Sequence, residues 1–287
     1  MINIGIIGFG FVGSSVAYGF SPQTGFDDAE LRIFDKDPAR STHTIGEVLE
    51  HSDYIFLSVP TPSNIDGSIN LTILDEVIEE ISSKGTKDGC VVLIRSTVVP
   101  GTTREFASKY PNLTFVFNPE FLTERSAKFD FINQARFILG GESKHTEKVA
   151  ELFRIRFGYS TPTIQTNFET AEFIKYMNNC YFATKVSFMN EMRLIADKSN
   201  VDWQAAVDGF VRDGRVGHSH LQVPGPDGRF GFGGSCFPKD IQAMMTYATE
   251  LGIEPCVLNG AWNTNLNVRP ERDWEKLLGR AIIKEVI

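Results

Sequence analysis

The sequence predicts an α/β fold: a doubly wound parallel sheet with helices on both faces, followed by an all-α domain. Up to residue 165, short apolar runs typical of buried strands alternate with stretches of helical periodicity, which is the pattern of β-α-β units. From residue 166 onward, long segments with helical spacing and few helix breakers replace this alternation. The total of 287 residues also favours two domains, which we expect to span residues 1–165 and 166–287.

Composition places the chain among ordinary soluble globular proteins. Hydrophobic residues make up 42% and charged residues 22% of the sequence, and no apolar run reaches the roughly 18 residues of a transmembrane helix. The net charge of −8 argues against nucleic acid or an anionic membrane as the main partner. The four cysteines show no paired metal-binding spacing, so without a secretory signal they predict reduced thiols in a cytoplasmic protein that holds no metal.

The first strand and the turn after it predict a dinucleotide site. Residues 2–7 form an apolar run, a G-x-G-x-x-G pattern follows at once, and a helix is predicted for residues 14–20. In this strand-turn-helix context the pattern is typical of a Rossmann-like fold, whose turn binds the pyrophosphate of the cofactor. The turn residues expected to contact the cofactor are Gly8, Gly10, Phe11, Val12 and Gly13.

A carboxylate after the second apolar run predicts which dinucleotide binds. Asp35 lies 22 residues after Gly13, where a carboxylate accepts hydrogen bonds from the adenosine ribose. Because it would repel a 2′-phosphate, Asp35 favours NAD over NADP, although the neighbouring Lys36, also a candidate cofactor contact, acts in the opposite direction. The alternative is that Asp35 ends a strand in solvent, before a turn at residues 37–38.

Further apolar runs supply the rest of the predicted parallel sheet, and residues 71–81 should form a crossover helix. In such sheets, ligands bind beyond the carboxyl ends of the strands. The segments at residues 60–62, Thr97 and Glu120 follow strands and are therefore candidates for the same site. The remaining strands are expected at residues 31–34, 52–59, 90–94, 113–117 and 137–139, the last of the sheet.

A long helix opens the second region, at residues 171–198. Its spacing places four residues on one face. From spacing alone, Lys175 is more simply explained as a surface lysine. The four residues are Lys175, Asn179, Phe182 and Val186.

Two shorter helical patterns follow, at residues 238–251 and 256–268. The second carries a polar ladder of asparagines four residues apart. The final residues, 281–287, resemble the beginning of a strand or a helix. The ladder consists of Asn259, Asn263 and Asn267.

A glycine-rich turn, residues 231–240, contains the strongest candidate for covalent chemistry. Cys236 follows the glycines, with Lys239 and Asp240 three and four residues later. Pro238 fits the first turn of a helix, which should begin near residue 237. A thiol at a helix N-terminus beside a lysine should form its thiolate more readily than a free cysteine. A buried structural cysteine is the alternative.

Together these motifs resemble the UDP-glucose/GDP-mannose dehydrogenase family, most closely its UDP-glucose 6-dehydrogenase branch. The resemblance implies NAD-dependent oxidation of the C6 alcohol of UDP-glucose, or of a related sugar nucleotide, twice, through an aldehyde to the carboxylate used in polysaccharide biosynthesis. The motifs occur in the family's order and span nearly the whole chain. They are the glycine turn and residues 58–62, 96–98, 101–102, 118–122 with Glu124, 172–179, 190–191 and 231–240.

The resemblance also implies the catalytic roles. Cys236 would attack the aldehyde, and the resulting thiohemiacetal would be oxidised to a thioester. Lys175 and Asn179 would hold the sugar oxygen as negative charge develops on it. Glu120 would be the general base for the hydrolytic water. Asp240 and Thr97 would orient water and base.

Binding residues follow from the same resemblance. Arg215 would reach the sugar site from the neighbouring subunit of a homodimer formed by the helical domain. The other substrate contacts would be Phe121, Leu122, Lys175, Asn179 and Gly233. The cofactor contacts outside the glycine turn would be Asp35, Lys36, Pro60, Thr61, Ser96, Thr97, Glu124 and Lys239.

Two departures from the family pattern accompany the resemblance. The loop between Arg215 and Cys236 is a few residues longer than usual. The third domain, which grips the uridine diphosphate, is expected to be absent, so that a separate UDP-binding chain becomes a candidate partner.

Two alternatives remain open at this point. One is a single-step 3-hydroxyacid dehydrogenase, which shares a Rossmann domain followed by a helical domain with one lysine. The other is a non-catalytic NAD-binding half of a split enzyme. Cys236 and Glu120 argue against the first alternative, because a one-step oxidation needs no nucleophile.

Overall fold

The computed structural model describes residues 1–283, which contain one seven-stranded sheet and ten α-helices. The strands are β1 (Ile2–Ile7), β2 (Ala29–Phe34), β3 (Tyr54–Leu57), β4 (Val91–Ile94), β5 (Phe115–Phe117), β6 (Phe137–Gly140) and β7 (Thr163–Thr166). The helices are α1 (Phe11–Gly19), α2 (Ile45–His51), α3 (Thr72–Lys84), α4 (Thr102–Lys109), α5 (Ala127–Ile132), α6 (Ser143–Phe157), α7 (Phe168–Lys198), α8 (Trp203–Val211), α9 (Phe237–Glu250) and α10 (Cys256–Val268).

The sheet has the strand order β2-β1-β3-β4-β5-β6-β7. The chain first adds β2 on one side of β1 and then returns to add β3 on the other, so the winding direction reverses between β1 and β3. All neighbouring strands except β5 and β6 pair in parallel. The predicted doubly wound, Rossmann-like fold is confirmed, and ligands of such sheets bind at the reversal point.

Two strand predictions are wrong. First, β6 pairs antiparallel with β5, through the single register pair Phe117 and Gly140. An apolar run predicts that a strand exists but carries no information about its direction. Second, residues 137–139 are not the last strand, because β7 follows and pairs in parallel with β6. Edge strand β7 has no buried residue, and Ile164 is 45% exposed, so it lacks the apolar run of a central strand.

Alternate side chains of the central strands fill two cores, one on each face of the sheet. On β4, Ile94 belongs to the core under α2, α3 and α4, whereas Leu93 belongs to the core under α1, α5 and α6. Aromatic rings make up much of the second core, where Phe137 and Phe153 stack with centroids 4.3 Å apart. Burial on both faces explains why β1, β3, β4 and β5 appear in the sequence as continuous apolar runs.

The chain forms two compact units. Unit 1 comprises residues 1–61 and 71–175, and unit 2 comprises residues 62–70 and the chain from residue 176 onward. The boundary falls inside α7 rather than at residue 165, because Phe168 and Ala171 in the first turns of α7 are buried in the sheet core of unit 1. A division of function between residues 1–165 and 166–287 stays a prediction.

Unit 2 is mainly helical, as predicted. The long helix and the two shorter ones are confirmed as α7, α9 and α10. The Ser187 hydroxyl donates to the Ala261 carbonyl at 2.6 Å and joins α7 to α10. Among the described residues, no helix is both long and apolar enough to cross a membrane.

The short segment 62–70 is part of unit 2 because it pairs with the end of the described chain. The Ser63 amide donates to the Ala281 carbonyl at 2.9 Å, and Ser63 forms a bridge with Ile282. Of the predicted strand or helix beginning at residues 281–287, the described residues 281–283 show isolated bridges at Ile282, and residues 284–287 lie outside the described part.

Candidate active site

The turn between β1 and α1 has the shape of a phosphate cradle. A Cβ atom at Gly8, where φ is +88°, would lie 2.5 Å from the Ser58 carbonyl oxygen, and one at Gly13 would lie 2.0 Å from the Gly8 carbonyl oxygen. These two glycines are required by the close approach of backbone to backbone. A Cβ at Gly10 would meet nothing within 4 Å, so this position is open. Helix α1 begins at Phe11, and its first N–H groups have no intrahelical acceptors, which suits a dinucleotide phosphate.

The Asp35 carboxylate lies against this turn. Its Oδ2 accepts a hydrogen bond from the Phe9 amide at 2.6 Å, and its Oδ1 accepts one from the Asp37 amide at 2.9 Å. The carboxylate is therefore fixed beside the glycines, and each oxygen keeps a second lone pair for a ribose hydroxyl. Asp35 is half-buried, whereas its neighbour Lys36 is exposed.

Hydrogen bonds join the segments that follow β3 and β4. The Thr61 hydroxyl donates to the Thr97 carbonyl at 2.8 Å, and the Ser96 hydroxyl donates to the Val59 carbonyl at 2.7 Å. Thr61 and Ser96 are buried, Thr97 is half-buried and Pro60 is exposed. The two predicted cofactor segments therefore form one structure at the carboxyl end of the sheet.

Glu120 and Lys175 form a buried ion pair in unit 1. Lys175 Nζ lies 2.8 Å from Glu120 Oε1 and 2.6 Å from the Glu120 carbonyl oxygen. The side chains are 3% exposed for Lys175 and 6% for Glu120, so Lys175 is not a surface lysine. Glu120 Oε2 accepts a hydrogen bond from the Leu122 amide at 2.7 Å. Both carboxylate oxygens of Glu120 thus have hydrogen-bond partners within unit 1.

Glu172 anchors the helix that carries Lys175. Its carboxylate is fully buried and accepts hydrogen bonds from the amides of Gly101 and Thr103, at 2.6 and 2.8 Å, at the N-terminus of α4. Burial raises the pKa of Glu172, and the bonds from Thr103 and Gly101 oppose that rise. The sequence motif contained Glu172 but gave it no role. Its role as an anchor depends on α4, a contact that spacing along α7 does not reveal.

In unit 2, Cys236 occupies the N-cap position of α9, and the predicted helix start at residue 237 is confirmed. Its thiol is half-buried. Ser235 Oγ lies 3.8 Å from Cys236 Sγ. The Asp240 amide donates to the Cys236 carbonyl at 2.8 Å, so the cysteine is held at the first turn of the helix.

The Asp240 carboxylate connects two other predicted site residues. Its Oδ1 lies 2.5 Å from Lys239 Nζ, and its Oδ2 accepts a hydrogen bond from Asn179 Nδ2 at 2.5 Å. Asp240 is 1% and Asn179 6% exposed. With Nδ2 engaged by Asp240, Asn179 presents its Oδ1 as an acceptor, an orientation assigned from this hydrogen bond. Lys239, a predicted cofactor contact, therefore has its ammonium group directed at the Asp240 carboxylate.

Two buried asparagines brace the turn before Cys236. Asn190 Oδ1 accepts a hydrogen bond from the Gly231 amide at 2.9 Å. Asn265 Oδ1 accepts one from the Phe232 amide at 2.7 Å, and Asn265 Nδ2 donates to the Phe232 carbonyl at 3.0 Å. Asn265 is fully buried and is not one of the asparagines of the predicted ladder, so the spacing of that ladder does not reveal it.

The predicted substrate residues differ in exposure. Arg215 is 90% exposed and pairs with Asp213 at 2.6 Å within its own chain. The Phe121 ring has the Lys175 ammonium 5.6 Å and the Arg136 guanidinium 4.5 Å from its centroid. Leu122 is buried and Glu124 is exposed. A Cβ at Gly233 would lie 2.5 Å from Arg269 Nη2, so this side of Gly233 is occupied by the protein itself.

Comparison with known proteins decides the family. Residues 31–156 match the NAD binding domain of the UDP-glucose/GDP-mannose dehydrogenase family, and residues 169–267 match its central domain. The chain belongs to this family. The family's NAD binding domain and the fit of the glycine turn and Asp35 to a dinucleotide identify NAD as the cofactor, in agreement with the sequence prediction.

Known members of the UDP-glucose/GDP-mannose dehydrogenase family match most of the chain. A UDP-glucose 6-dehydrogenase of Haloferax volcanii is 31% identical over 94% of this chain and 71% of its own. A UDP-glucose dehydrogenase structure from Pyrobaculum islandicum is 27% identical with a TM-score of 0.79, over 93% of this chain and 68% of its own. Among eight curated relatives, the chain spans between 30% and 71% of the relative's length.

A structure from outside the sugar-nucleotide enzymes shares the fold. The 3-hydroxyisobutyrate dehydrogenase of Mycobacterium tuberculosis has a TM-score of 0.72 and covers 95% of both chains, at 17% sequence identity. At this identity the likeness concerns the fold alone. The two-unit architecture is therefore common to enzymes with different chemistry, and function has to be argued from the site.

Proposed function

We propose that the chain is an NAD-dependent nucleotide-sugar 6-dehydrogenase, which oxidises the C6 alcohol of UDP-glucose, or of a related sugar nucleotide, to the carboxylate through a thioester on Cys236. The observation that carries the proposal is Cys236 at the N-cap of α9, within the part of the chain that matches the family's central domain. Asp240, on the first turn of the same helix, holds the Asn179 amide.

The residues that would hold NAD are those of the glycine turn, Asp35, and the segments after β3 and β4. When bound, NAD accepts a hydride from the carbon being oxidised in each of the two oxidations. The open position at Gly10 and the first N–H groups of α1 would receive the phosphates. The Asp35 carboxylate would accept hydrogen bonds from the adenosine ribose.

In the first oxidation, Lys175 and Asn179 would hold the C6 oxygen while its hydroxyl proton passes to a water molecule. Lys175 is an ammonium already desolvated beside Glu120, so it needs no rearrangement of solvent to stabilise charge on the substrate oxygen. Asn179 is oriented by Asp240 and presents Oδ1 to a hydroxyl group. Both residues lie on α7, four positions apart and therefore on one face of the helix.

The second stage would run through Cys236. Its thiolate forms a bond from sulfur to the aldehyde carbon, and the resulting thiohemiacetal is oxidised to a thioester. Glu120 then takes a proton from a water molecule whose oxygen attacks the thioester carbon. The carbon–sulfur bond breaks, the carboxylate product leaves, and the Cys236 thiolate is regenerated. Before the reaction, Lys175 Nζ holds Glu120 Oε1 at 2.8 Å.

The second candidate function is a single-step 3-hydroxyacid dehydrogenase, in which the buried Lys175 on α7 would be the one lysine that such an oxidation uses. A one-step oxidation uses a lysine and NAD but no nucleophile or hydrolytic base. Cys236 and Glu120 would then have no chemical role. A non-catalytic NAD-binding half of a split enzyme would also leave the Asp240–Asn179 contact without a function.

The experiment that separates these functions is a count of NADH formed per substrate consumed, with pure protein, NAD and a panel of sugar nucleotides and 3-hydroxyacids. The proposal expects two NADH per sugar nucleotide. One NADH per 3-hydroxyacid supports the single-step enzyme. NAD binding with no NADH from any compound supports the non-catalytic role.

A further inference from the structure

The guanidinium of Arg269, the first residue after α10, is engaged on every nitrogen. Nε and Nη2 lie 2.7 and 2.9 Å from the two carboxylate oxygens of Asp273. Nη2 also lies 2.8 Å from Asp227 Oδ2, and Nη1 donates to the Phe230 carbonyl at 3.2 Å. The side chain is 2% exposed. Arg269 is therefore a buried cation with two carboxylate partners, and we name these three residues the Arg269 cluster.

The plane of this guanidinium lies against the backbone that leads to Cys236. A Cβ at Gly233 would approach Arg269 Nη2, Cζ and Nε to 2.5, 2.7 and 2.8 Å. Such distances leave no room for any side chain at residue 233. The glycine is thus needed so that the arginine can contact the turn three residues before the cysteine.

Asp227 lies in the loop between Arg215 and Cys236 and connects this loop to the Arg269 cluster. The loop closes on itself, because the Gly225 amide donates to the Arg229 carbonyl at 2.7 Å and the Arg229 amide donates to Asp227 Oδ1 at 3.1 Å. Asp227 Oδ2 is the oxygen that meets Arg269. The loop between Arg215 and Cys236 therefore supplies a carboxylate to the buried arginine.

We propose that Arg269 is a positioning residue for Cys236: together with Asp227 and Asp273, it holds the Gly231–Gly234 turn in the one conformation that delivers the thiol to the N-terminus of α9. Asn190 and Asn265 fix the amides at the start of this turn, and Arg269 fixes its middle through Gly233. The inference rests on the proposed function only in taking Cys236 as the nucleophile.

The test is alkylation of the full chain by iodoacetamide, with each cysteine followed by mass spectrometry. Cys90 and Cys180 are buried and report global unfolding, whereas Cys256 is exposed and reports the activity of the reagent. The variants are Arg269→Lys, which keeps the charge but loses the planar fork, and Asp227→Asn, which removes only the ion pair from the loop.

A matched control is available at Arg154. This arginine also pairs with two carboxylates, Glu147 and Glu151, but it lies on α6 in unit 1. Arg154→Lys makes the same chemical change outside the Arg269 cluster. It is expected to leave the alkylation rates of all four cysteines as in the unchanged protein.

The proposal expects both cluster variants to raise the alkylation rate of Cys236 about tenfold, because a turn that opens locally exposes its half-buried thiol. Cys256, Cys90 and Cys180 should keep their original rates, which a general loss of stability would not allow. With NAD and sugar present, kcat should fall by about 10² while KM for NAD stays unchanged.

An unchanged alkylation rate of Cys236 in both variants overturns the proposal. If Arg269→Lys unfolds the protein, as fast alkylation of Cys90 would show, Asp227→Asn alone decides. Alkylation needs neither NAD nor sugar. If the protein without substitutions has no dehydrogenase activity, the proposed function is contradicted. The alkylation experiment on Arg269 can still be carried out and interpreted.

Discussion

Glu120 Oε1 and Lys175 Nζ lie 2.8 Å apart, in an ion pair whose side chains are only 6% and 3% exposed. In the proposed reaction these residues are the general base and the cation at the sugar oxygen. Before any ligand binds, each neutralises the other. The site thus holds two opposite charges away from water, and each would be costly if the other were removed.

The first prediction concerns this pair. Lys175→Met should destabilise the protein by about 3–5 kcal/mol, because it leaves the Glu120 carboxylate buried without its partner. The double variant Lys175→Met/Glu120→Gln should recover much of that loss, since no charge is then left buried. Urea unfolding of the two single variants and the double variant measures the coupling.

Lys109→Met is the control for that cycle, because Lys109 pairs with Asp75 at 2.8 Å on the surface, with 54% of its side chain exposed. Its stability should be close to that of the unchanged protein. If the loss of unfolding free energy in the double variant equals the sum of the losses in the Lys175 and Glu120 single variants, the two residues are not a coupled buried pair.

The second prediction concerns cofactor choice. NAD should bind at least about tenfold more tightly than NADP, because a 2′-phosphate beside the Asp35 carboxylate loses at least 1.4 kcal/mol. Asp35→Asn keeps the shape of the side chain and removes its charge, so it should reduce the preference for NAD over NADP. Fluorescence titration with both dinucleotides measures it. Equal affinity for NAD and NADP in the protein without substitutions would show that a neighbouring cation, Lys36 or Arg40, attracts the 2′-phosphate more strongly than Asp35 repels it.

The third prediction concerns Cys236. Cys236→Ala should abolish the net four-electron oxidation and leave NAD affinity nearly unchanged, because the residues expected to bind NAD lie mainly in unit 1. Cys236→Ser should accumulate an ester, since serine is the poorer leaving group. Cys256→Ala, at an exposed thiol, is the matched control. Full acid production by Cys236→Ala would rule out covalent catalysis.

The fourth prediction is a homodimer formed by the helical region between residues 166 and 268. One face of α7 exposes large apolar side chains at helical spacing, and within the described part of the chain Arg215 has only Asp213 as its salt-bridge partner. Phe188→Glu should therefore shift the protein toward monomer in sedimentation, whereas Lys198→Glu on the same helix should not. A fully active monomer at high dilution would contradict this. The exposed residues are Phe173, Met177, Tyr181, Phe188 and Met192.

The fifth prediction is a pH dependence of stability. Hydrogen bonds from Arg269 hold the pKa of Asp273 below its ordinary value of 3.8. A carboxyl with a lower pKa in the folded state stabilises the fold above its unfolded pKa, and this contribution is lost as the pH falls through the folded pKa. In urea unfolding between pH 3 and 7, Asp273→Asn should be less stable at neutral pH and should show a flatter decline toward acid. An identical slope would contradict the ion pair.

Much of the fold follows from the sequence because its signals are local. The glycine turn sits directly between a buried strand and a helix, and the long helix α7 contains few helix breakers. Short or half-exposed elements such as α5, α8 and β7 give no comparable signal, so they were not predicted. The direction of β6 depends on its neighbour β5, which lies elsewhere in the sequence.

The site residues divide in the same way. Cys236 and Lys239 stand in one compact motif and were found from spacing. Lys175 resembled a surface lysine because the Glu120 that buries it lies 55 residues away. Asn265 was missed, since the regular spacing of the other asparagines on α10 suggested a different face, whereas only Asn265 contacts the Phe232 backbone.

The central claim is that oxidation proceeds through a bond between the substrate and Cys236. Rapid acid quenching during turnover with NAD and UDP-glucose, followed by mass spectrometry of cysteine-containing peptides, tests this most directly. The account predicts the mass of a sugar acyl group on the Cys236 peptide alone, only when NAD is present, and absent from the peptides of Cys90, Cys180 and Cys256. An unmodified Cys236 peptide at every quench time, while two NADH are formed per sugar, would contradict the account.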